Sequence, residues 1–383
     1  MDSSSPLLVF SSQSQLEPQD QRPSTQLSFL DNSQSNKTLL LPSKFIWPKG
    51  DLVDAHHKLT EPYVDLQGFL KGDKNATIAA SNLVRKACMK HGFFQVVNHG
   101  VDHTLLATAL DKMGSLFNLP SNLKTRASKM WGFSTAHSNR FSSKLPWKET
   151  FSFGFDHCIT SNDPSVAHFF TSTLGKEFEE IGVVYQKYCE AMRELSLAIT
   201  ELLAISLGVE RWELRKFFED GSSIMRLNSY PICQQGGVTL GTGPHCDPTG
   251  LTILHQDQVG GLEVFANNKW HTVQPSHNAL VVNIGDLFMA LCNGEYKSCV
   301  HRAVVNKHKE RRSLAFFLCP RKDKVVRPPE NLVAGDGARK YPDFSWSELL
   351  EFTQKYYRAD AATLPNFTKW LVSSRASDLH SST

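Results

Sequence analysis

The sequence predicts an α+β protein with a jelly-roll core (a double-stranded β-helix) flanked by helices, one of them long and packed on the sheet. Three observations carry this. After Ser222 the chain breaks into short apolar segments separated by turn signals, the pattern of a β-sandwich or jelly roll. Before that point, apolar residues from Lys176 to Leu207 recur at three- and four-residue steps, which asks for one long helix with a buried stripe. Finally, a jelly roll can return the chain beside its own start, where it would bring His301 to His245 and Asp247.

The elements follow in order. Residues 1–45 are rich in Ser, Gln, Asn and Pro and poor in aromatics, so they read as a disordered tail. A mixed N-terminal region is expected over 46–170, a long connecting helix over 171–221, the jelly roll over 222–322 and a C-terminal helical region and tail over 323–383. Pro62–Leu66 reads as a strand. A helix follows, with Ile78, Ala79, Leu83, Val84, Ala87 and Cys88 on one apolar face, ended by His91-Gly92. Phe93–Val97 is the next strand, stopped by Asn98-His99-Gly100. A second helix runs from about Asp102 to Asn118, limited by Pro120. Gly208 stops the long helix. Strands are expected at 223–230, 250–256, 261–266, 280–284, 300–306 and 313–319, with Gly260-Gly261, Asn267-Asn268 and Asn293-Gly294 as turns. Ser345 with Glu348 forms a capping-box pattern that opens a helix to about Tyr357.

The chain has 383 residues, 40% hydrophobic and 21% charged, ordinary for a soluble globular enzyme with a substantial core. A net charge of +3 without a Lys/Arg run argues against nucleic acid and membrane lipid as partners. The longest early apolar run, Pro6–Phe10, is short for a signal-peptide core or a membrane span, so a cytoplasmic protein is expected. Eight cysteines are scattered without a Cys-x-x-Cys, as free thiols of a reducing compartment would be.

His245 and Asp247 are two residues apart, so on an extended strand they face the same way, and Cys246 between them faces the other. With His301 they make two imidazoles and one carboxylate. That set holds one face of an Fe(II) ion and leaves the opposite face for a cosubstrate and O2. Ten residues after His301 stand Arg311 and, at equal strand parity, Ser313. A guanidinium grips a carboxylate through two bonds, and a hydroxyl adds a third donor, so the pair suits the far carboxylate of a keto acid chelated to iron. Arg312 has the opposite parity. Zinc is the competing metal, but a zinc hydrolase needs a positioned general base rather than a keto-acid anchor; Arg311-x-Ser313 favours iron.

From about Pro62 to Pro320, the chain resembles the plant 2-oxoglutarate- and Fe(II)-dependent dioxygenases. Three segments are similar to the gibberellin 20-oxidase subfamily: LPWKET at Leu145–Thr150, GTGPHCDPTGLTILHQDQVGGLEVF, and VVNIGDLFMALCNGEYKSCVHRAVVN. The resemblance implies that His245, Asp247 and His301 bind iron and that Arg311 and Ser313 bind 2-oxoglutarate. It adds Asn228 and Tyr230 as further contacts of that cosubstrate. Ser229 departs from the Tyr usual there, Gln235-Gly236-Gly237 departs from a segment usually containing Pro, and Phe151 replaces a common Leu. LPWKET by itself reads as a Pro-led turn with an aromatic plug. Given the resemblance, Trp147, Lys148 and Glu149 become substrate contacts, with Lys148 the functional candidate; Glu149 can instead neutralise Lys148. The implied substrate is a small diterpenoid acid, a gibberellin precursor oxidised stepwise at C-20, with O2 consumed and ascorbate keeping iron reduced. The alternatives are a gibberellin 2- or 3-oxidase, a flavonoid dioxygenase, or a catalytically silent hormone-binding protein on the same fold.

Overall fold

The structure, a computed structural model, describes residues 41–124, 131–134, 144–156, 165–333, 338–356 and 363–381, without the side chains of 377–381. Most of the expected tail, Cys158 and Tyr357 lie outside these residues.

Two antiparallel four-stranded layers form the jelly roll. Strands β6 (Ser222–Tyr230), β8 (Leu251–Gln256), β11 (Leu280–Ile284) and β13 (Arg311–Leu318) make the major layer in the order β11-β8-β13-β6. Strands β7 (Leu240–His245), β9 (Leu262–Ala266), β10 (Lys269–Thr272) and β12 (His301–Val304) make the minor layer in the order β10-β9-β12-β7. The N-terminal region extends both. It adds β1 (His57–Lys58) to the minor sheet beside β10. It adds β2 (Tyr63–Asp65) and β3 (Phe93–Val97) at one edge of the major sheet, and β4 (Gly132–Ser134) and β5 (Glu149–Asp156) at the other.

The pleat sorts the major sheet's side chains. Met225, Leu227, Ile253, Val282, Leu314 and Phe316 point away from the minor layer into the main core. There they meet α4 (Glu179–Leu207), the long helix, together with α1 (Lys74–Lys90), α2 (His103–Phe117) and α3 (Val166–Leu174). Residues of the other parity, among them Arg226, Asn228, Tyr230, Arg311 and Ser313, line the space between the layers. One face of the sheet is therefore structural and the other chemical. Two further helices, α5 (Trp346–Lys355) and α6 (Thr363–Ser381), close the C-terminal region; α5 opens with the capping box of Ser345 and Glu348.

Three expectations are corrected. In α1 the buried positions are Ala80, Ser81, Val84, Ala87 and Cys88, while Ile78 and Leu83 are exposed. The apolar stripe is thus narrower and shifted, because α1 meets α4 through small side chains. The long helix starts at Glu179 after a 3-10 turn at Lys176–Phe178. Finally, β5, β7 and β10 were not expected. Sequence LGTGPH in β7 reads as turn-rich, but Gly241 is there for room: a Cβ would come 2.5 Å from Cδ1 of Tyr230.

Candidate metal centre and its cavity

His245 ends β7 and His301 begins β12, and the two are direct cross-strand partners. Asp247 sits two residues beyond the strand, in the turn to β8. The ligand-capable atoms of the three residues all lie within 4.8 Å of one another. Asp247 Oδ1 is 3.7 Å from His245 Nε2, and Asp247 Oδ2 is 3.7 Å from His301 Nε2. The jelly roll thus brings together the residues that sequence spacing nominated.

The surroundings fix how each group points. His245 Nδ1 lies 2.8 Å from the Gly243 carbonyl and His301 Nδ1 lies 3.2 Å from the Cys299 carbonyl. A carbonyl only accepts, so each Nδ1 carries the proton and each Nε2 turns a lone pair to the centre. Thr252 Oγ1 and Asn283 Nδ2 donate to Asp247 Oδ2 at 2.7 and 2.8 Å. Burial works to raise the Asp247 carboxyl, but His301, His245 and these two donors hold it below the usual carboxylate range. Burial first, and His301 second, push His245 down to about 3. A neutral imidazole and an ionised carboxylate are the forms that ligate a metal. Gly285 backs the turn: a Cβ there would meet the Thr249 carbonyl at 2.0 Å and the Asp247 carbonyl at 3.0 Å. Cys246 turns away, with its thiol 3.7 Å from the Ser298 carbonyl.

Arg311 and Ser313 lie on β13 opposite Tyr230 and Asn228 of β6. All four line a cavity of about 160 Å3 that also contains the three metal-site residues. Arg311 and Ser313 are each 1% exposed. Gln256 Oε1 accepts from Arg311 Nη2 at 2.9 Å, while Arg311 Nε and Nη1 and Ser313 Oγ have no hydrogen-bond partner among the described residues. Buried donors are costly without a partner, so these three atoms form a socket for an anion entering the cavity. The donor set at the centre suits Fe(II), and the socket suits a carboxylate.

Of the LPWKET residues, only Lys148 lines the cavity. Strand parity explains the split. Lys148, Thr150 and Ser152 face β6's cavity side, where Thr150 Oγ1 donates to Asn228 Oδ1 at 3.1 Å. Glu149 faces the other way and holds Lys124 in a buried ion pair at 2.9 Å, so it does not neutralise Lys148. Trp147 packs edge-on against Phe45, ring centres 5.1 Å apart, and its Nε1 donates to the Pro231 carbonyl at 3.2 Å. Trp147 and Glu149 therefore stand outside the cavity wall.

The cavity wall also includes residues that sequence reading passed over. Arg226, on the same parity as Asn228 and Tyr230, lays its guanidinium carbon 5.4 Å from the centre of the Phe317 ring. Trp346, Leu350 and Thr353 enter from α5 at helical spacing. Both signals were in the sequence as periodicity: i, i+2 on β6 and i, i+4, i+7 on α5.

Comparison with known proteins agrees with this geometry. Residues 221–320 match the 2OG-Fe(II) oxygenase superfamily, and residues 62–172 match the non-haem dioxygenase in morphine synthesis N-terminal family. Gibberellin 20 oxidase 3 of Arabidopsis thaliana is 54% identical over 88% of this chain and 90% of its own. Gibberellin 20 oxidase 2 of Oryza sativa subsp. indica is 55% identical over 87% of this chain and 85% of its own. The chain belongs to the gibberellin 20-oxidase family. Among solved structures, JOX2 in complex with 2OG, Fe and JA superimposes with a TM-score of 0.74 at 29% identity, covering 91% of this chain and 98% of that one. The dioxygenase for auxin oxidation in rice gives 0.66 at 27% identity, covering 80% and 99%. A 2-oxoglutarate oxygenase jelly roll thus carries the family's His-x-Asp…His triad here.

Proposed function

We propose that this chain oxidises C-20 of a gibberellin precursor in successive steps, using Fe(II), 2-oxoglutarate and O2. The carrying observation is the triad of His245, Asp247 and His301, set in one cavity with the unpartnered donors of Arg311 and Ser313. Iron, when bound, supplies the redox chemistry that couples oxidation of 2-oxoglutarate to oxidation of the substrate.

The protein's part is holding and orienting. His245, Asp247 and His301 hold the metal from one side, with Thr252 and Asn283 fixing the carboxylate. Arg311 and Ser313 take the far carboxylate of 2-oxoglutarate, with Tyr230 and Asn228 beside them on β6. Each turn consumes one 2-oxoglutarate and one O2 and releases succinate and CO2. The apolar wall of Ile224, Leu254, Phe317 and Leu350 suits a diterpenoid skeleton and excludes water. Lys148 and Arg226 offer positive charge to its carboxylates, and Lys148 is the residue we assign to substrate from LPWKET. Ascorbate serves as the reductant that keeps the iron ferrous.

We place the reaction in the cytoplasm. The seven described cysteines are all free thiols, which suits a reducing compartment. Among the described residues, no helix is long and apolar enough to cross a membrane.

The test is product analysis by mass spectrometry with a C20 precursor, Fe(II), 2-oxoglutarate and ascorbate. The expected series is C-20 alcohol, C-20 aldehyde and the product that has lost this carbon. Hydroxylation at another carbon with C-20 untouched points to a gibberellin 2- or 3-oxidase instead. Tight binding without succinate release points to a silent hormone-binding protein. His245→Ala and Asp247→Ala each abolish turnover and lower the iron content of the purified protein; wild-type activity in either variant sinks the assignment.

A further inference from the structure

The stretch Leu41–Val53 crosses the outside of the molecule and ties together three parts of the site. Lys44 O accepts from the Leu145 amide at 2.8 Å, and Trp47 Nε1 donates to the Leu145 carbonyl at 3.1 Å. Both polar backbone groups of the first LPWKET residue are therefore bonded to this stretch. Phe45 sets its ring edge-on against Trp147, the third residue of the motif. On the other side, the Trp47 amide donates to Val238 O at 2.9 Å and the Trp47 ring packs on Leu240 of β7, the strand that ends at His245. Further along, the Asp51 and Val53 carbonyls accept from the guanidinium of Arg302, the residue after His301. Arg302 is itself locked by Glu263 and by the Trp270 ring beneath it. Trp147 closes the circuit, its amide donating to Leu240 O at 2.8 Å.

Lys148 follows Trp147 directly, and its cavity-facing side chain is only 4% exposed. No regular secondary structure holds residues 144–148; β5 begins at Glu149. The bonds to Leu145 and Trp147 are what fix the path of the chain just before Lys148. We infer that Leu41–Val53 is a positioning strap: Phe45 and Trp47 seat the LPWKET turn on β7, and this sets where Lys148 meets the substrate. Trp47 and Phe45 act through Lys148 and touch no reactant. The inference rests on Lys148 as a substrate contact.

The test is steady-state kinetics of the full chain with Fe(II), scoring the precursor KM and the 2-oxoglutarate KM separately. Trp47→Phe keeps an aromatic ring against Leu240 while it removes the Nε1 donor and trims the buried side chain. It raises the precursor KM roughly tenfold, the net worth of one buried hydrogen bond. The 2-oxoglutarate KM stays at the parent value, because the Arg311 socket lies on β13, and iron content stays too, because the retained ring still packs on Leu240 of the strand that carries His245. Phe45→Leu reaches the same turn through Trp147 and raises the same constant. In a Lys148→Met background, Trp47→Phe adds less than about twofold, since the two changes share one route. A precursor KM unmoved by Trp47→Phe, beside a raised one in Lys148→Met, overturns the strap alone. Equal rises in both KM values overturn it too, as general loosening, and so does full additivity with Lys148→Met. A precursor KM indifferent to Lys148→Met overturns the substrate role of Lys148 and the strap together.

Discussion

Arg311 lies directly opposite Tyr230 in the β6–β13 ladder, its guanidinium carbon 4.8 Å from the centre of the phenol ring. The ring attracts the cation, and Nη2 donates to Gln256 Oε1. Nε and Nη1 remain without a hydrogen-bond partner among the described residues, so the guanidinium keeps donors for a carboxylate.

Arg311→Lys tests those donors. A lysine keeps the charge but offers a point rather than a plane, and it cannot lie against Tyr230 in the same way. One charge-assisted hydrogen bond lost is worth about 1.5–3 kcal/mol, so the 2-oxoglutarate KM rises roughly ten- to a hundredfold. Succinate release against 2-oxoglutarate concentration measures this. An unchanged requirement removes Arg311 from the role of anchor.

Gly285→Ala tests the backing of the metal turn without altering a ligand. Its φ is an ordinary −95°, so the constraint is space and not conformation. The new methyl would overlap the Thr249 carbonyl, and Asp247 O lies next in line. The turn has to move, and Asp247 moves with it. Iron content falls and activity with it, while far-UV circular dichroism keeps the parent shape. Full iron loading at parental affinity would show that the turn yields without carrying its carboxylate along.

Much of this site was legible because its residues obey the period of a strand. His245, Arg311 and Ser313 were placed by parity and spacing, and the fold needed only to bring β7 beside β12. The strand under His245 was hidden, since Gly241, Gly243 and Pro244 look like a turn until Tyr230 is seen lying where a Cβ would be. Glu149 was expected as a substrate contact, or alternatively as a neutraliser of Lys148, because neighbours in sequence look like neighbours in space. Alternation of Thr150, Ser152 and Gly154 with Phe151, Phe153 and Phe155 already said that β5 is a strand, and a strand puts Lys148 and Glu149 on opposite faces. The link from Trp47 to Leu145 spans 98 residues and has no local signature at all.

The Lys124–Glu149 pair gives a third prediction. Both side chains are almost wholly buried, at 1% and 7% exposure, and both Glu149 oxygens accept from Lys124 Nζ. Removing one partner strands the other charge, so Glu149→Ala destabilises the fold by about 3–5 kcal/mol. The pair with apolar replacements, Lys124→Met with Glu149→Leu, recovers most of that loss, because neither charge then needs water. Urea denaturation of the two variants and the parent decides the matter. A double variant as unstable as Glu149→Ala would mean that the pair contributes through geometry rather than charge balance.

His91 gives the pH dependence of stability. It is 1% exposed, and its Nδ1 accepts from the Phe93 amide at 3.2 Å, so the folded state uses a neutral ring. Burial, with Lys90 adding to it, pushes the imidazole down to about 4 from its ordinary 6.5. Between these values the unfolded chain binds a proton that the folded chain refuses. Stability is therefore whole above pH 6.5, falls as the pH drops towards 4 and levels off below it. The full span of the shift corresponds to about 3 kcal/mol. His255, likewise pushed down to about 4 by burial, adds a second contribution of the same sign. His91→Asn removes one proton from this linkage. Urea unfolding at a series of pH values from 7.5 to 4 then gives a shallower acid slope than the parent, with the His255 share left. A parental slope in His91→Asn would show that this ring takes up its proton without unfolding.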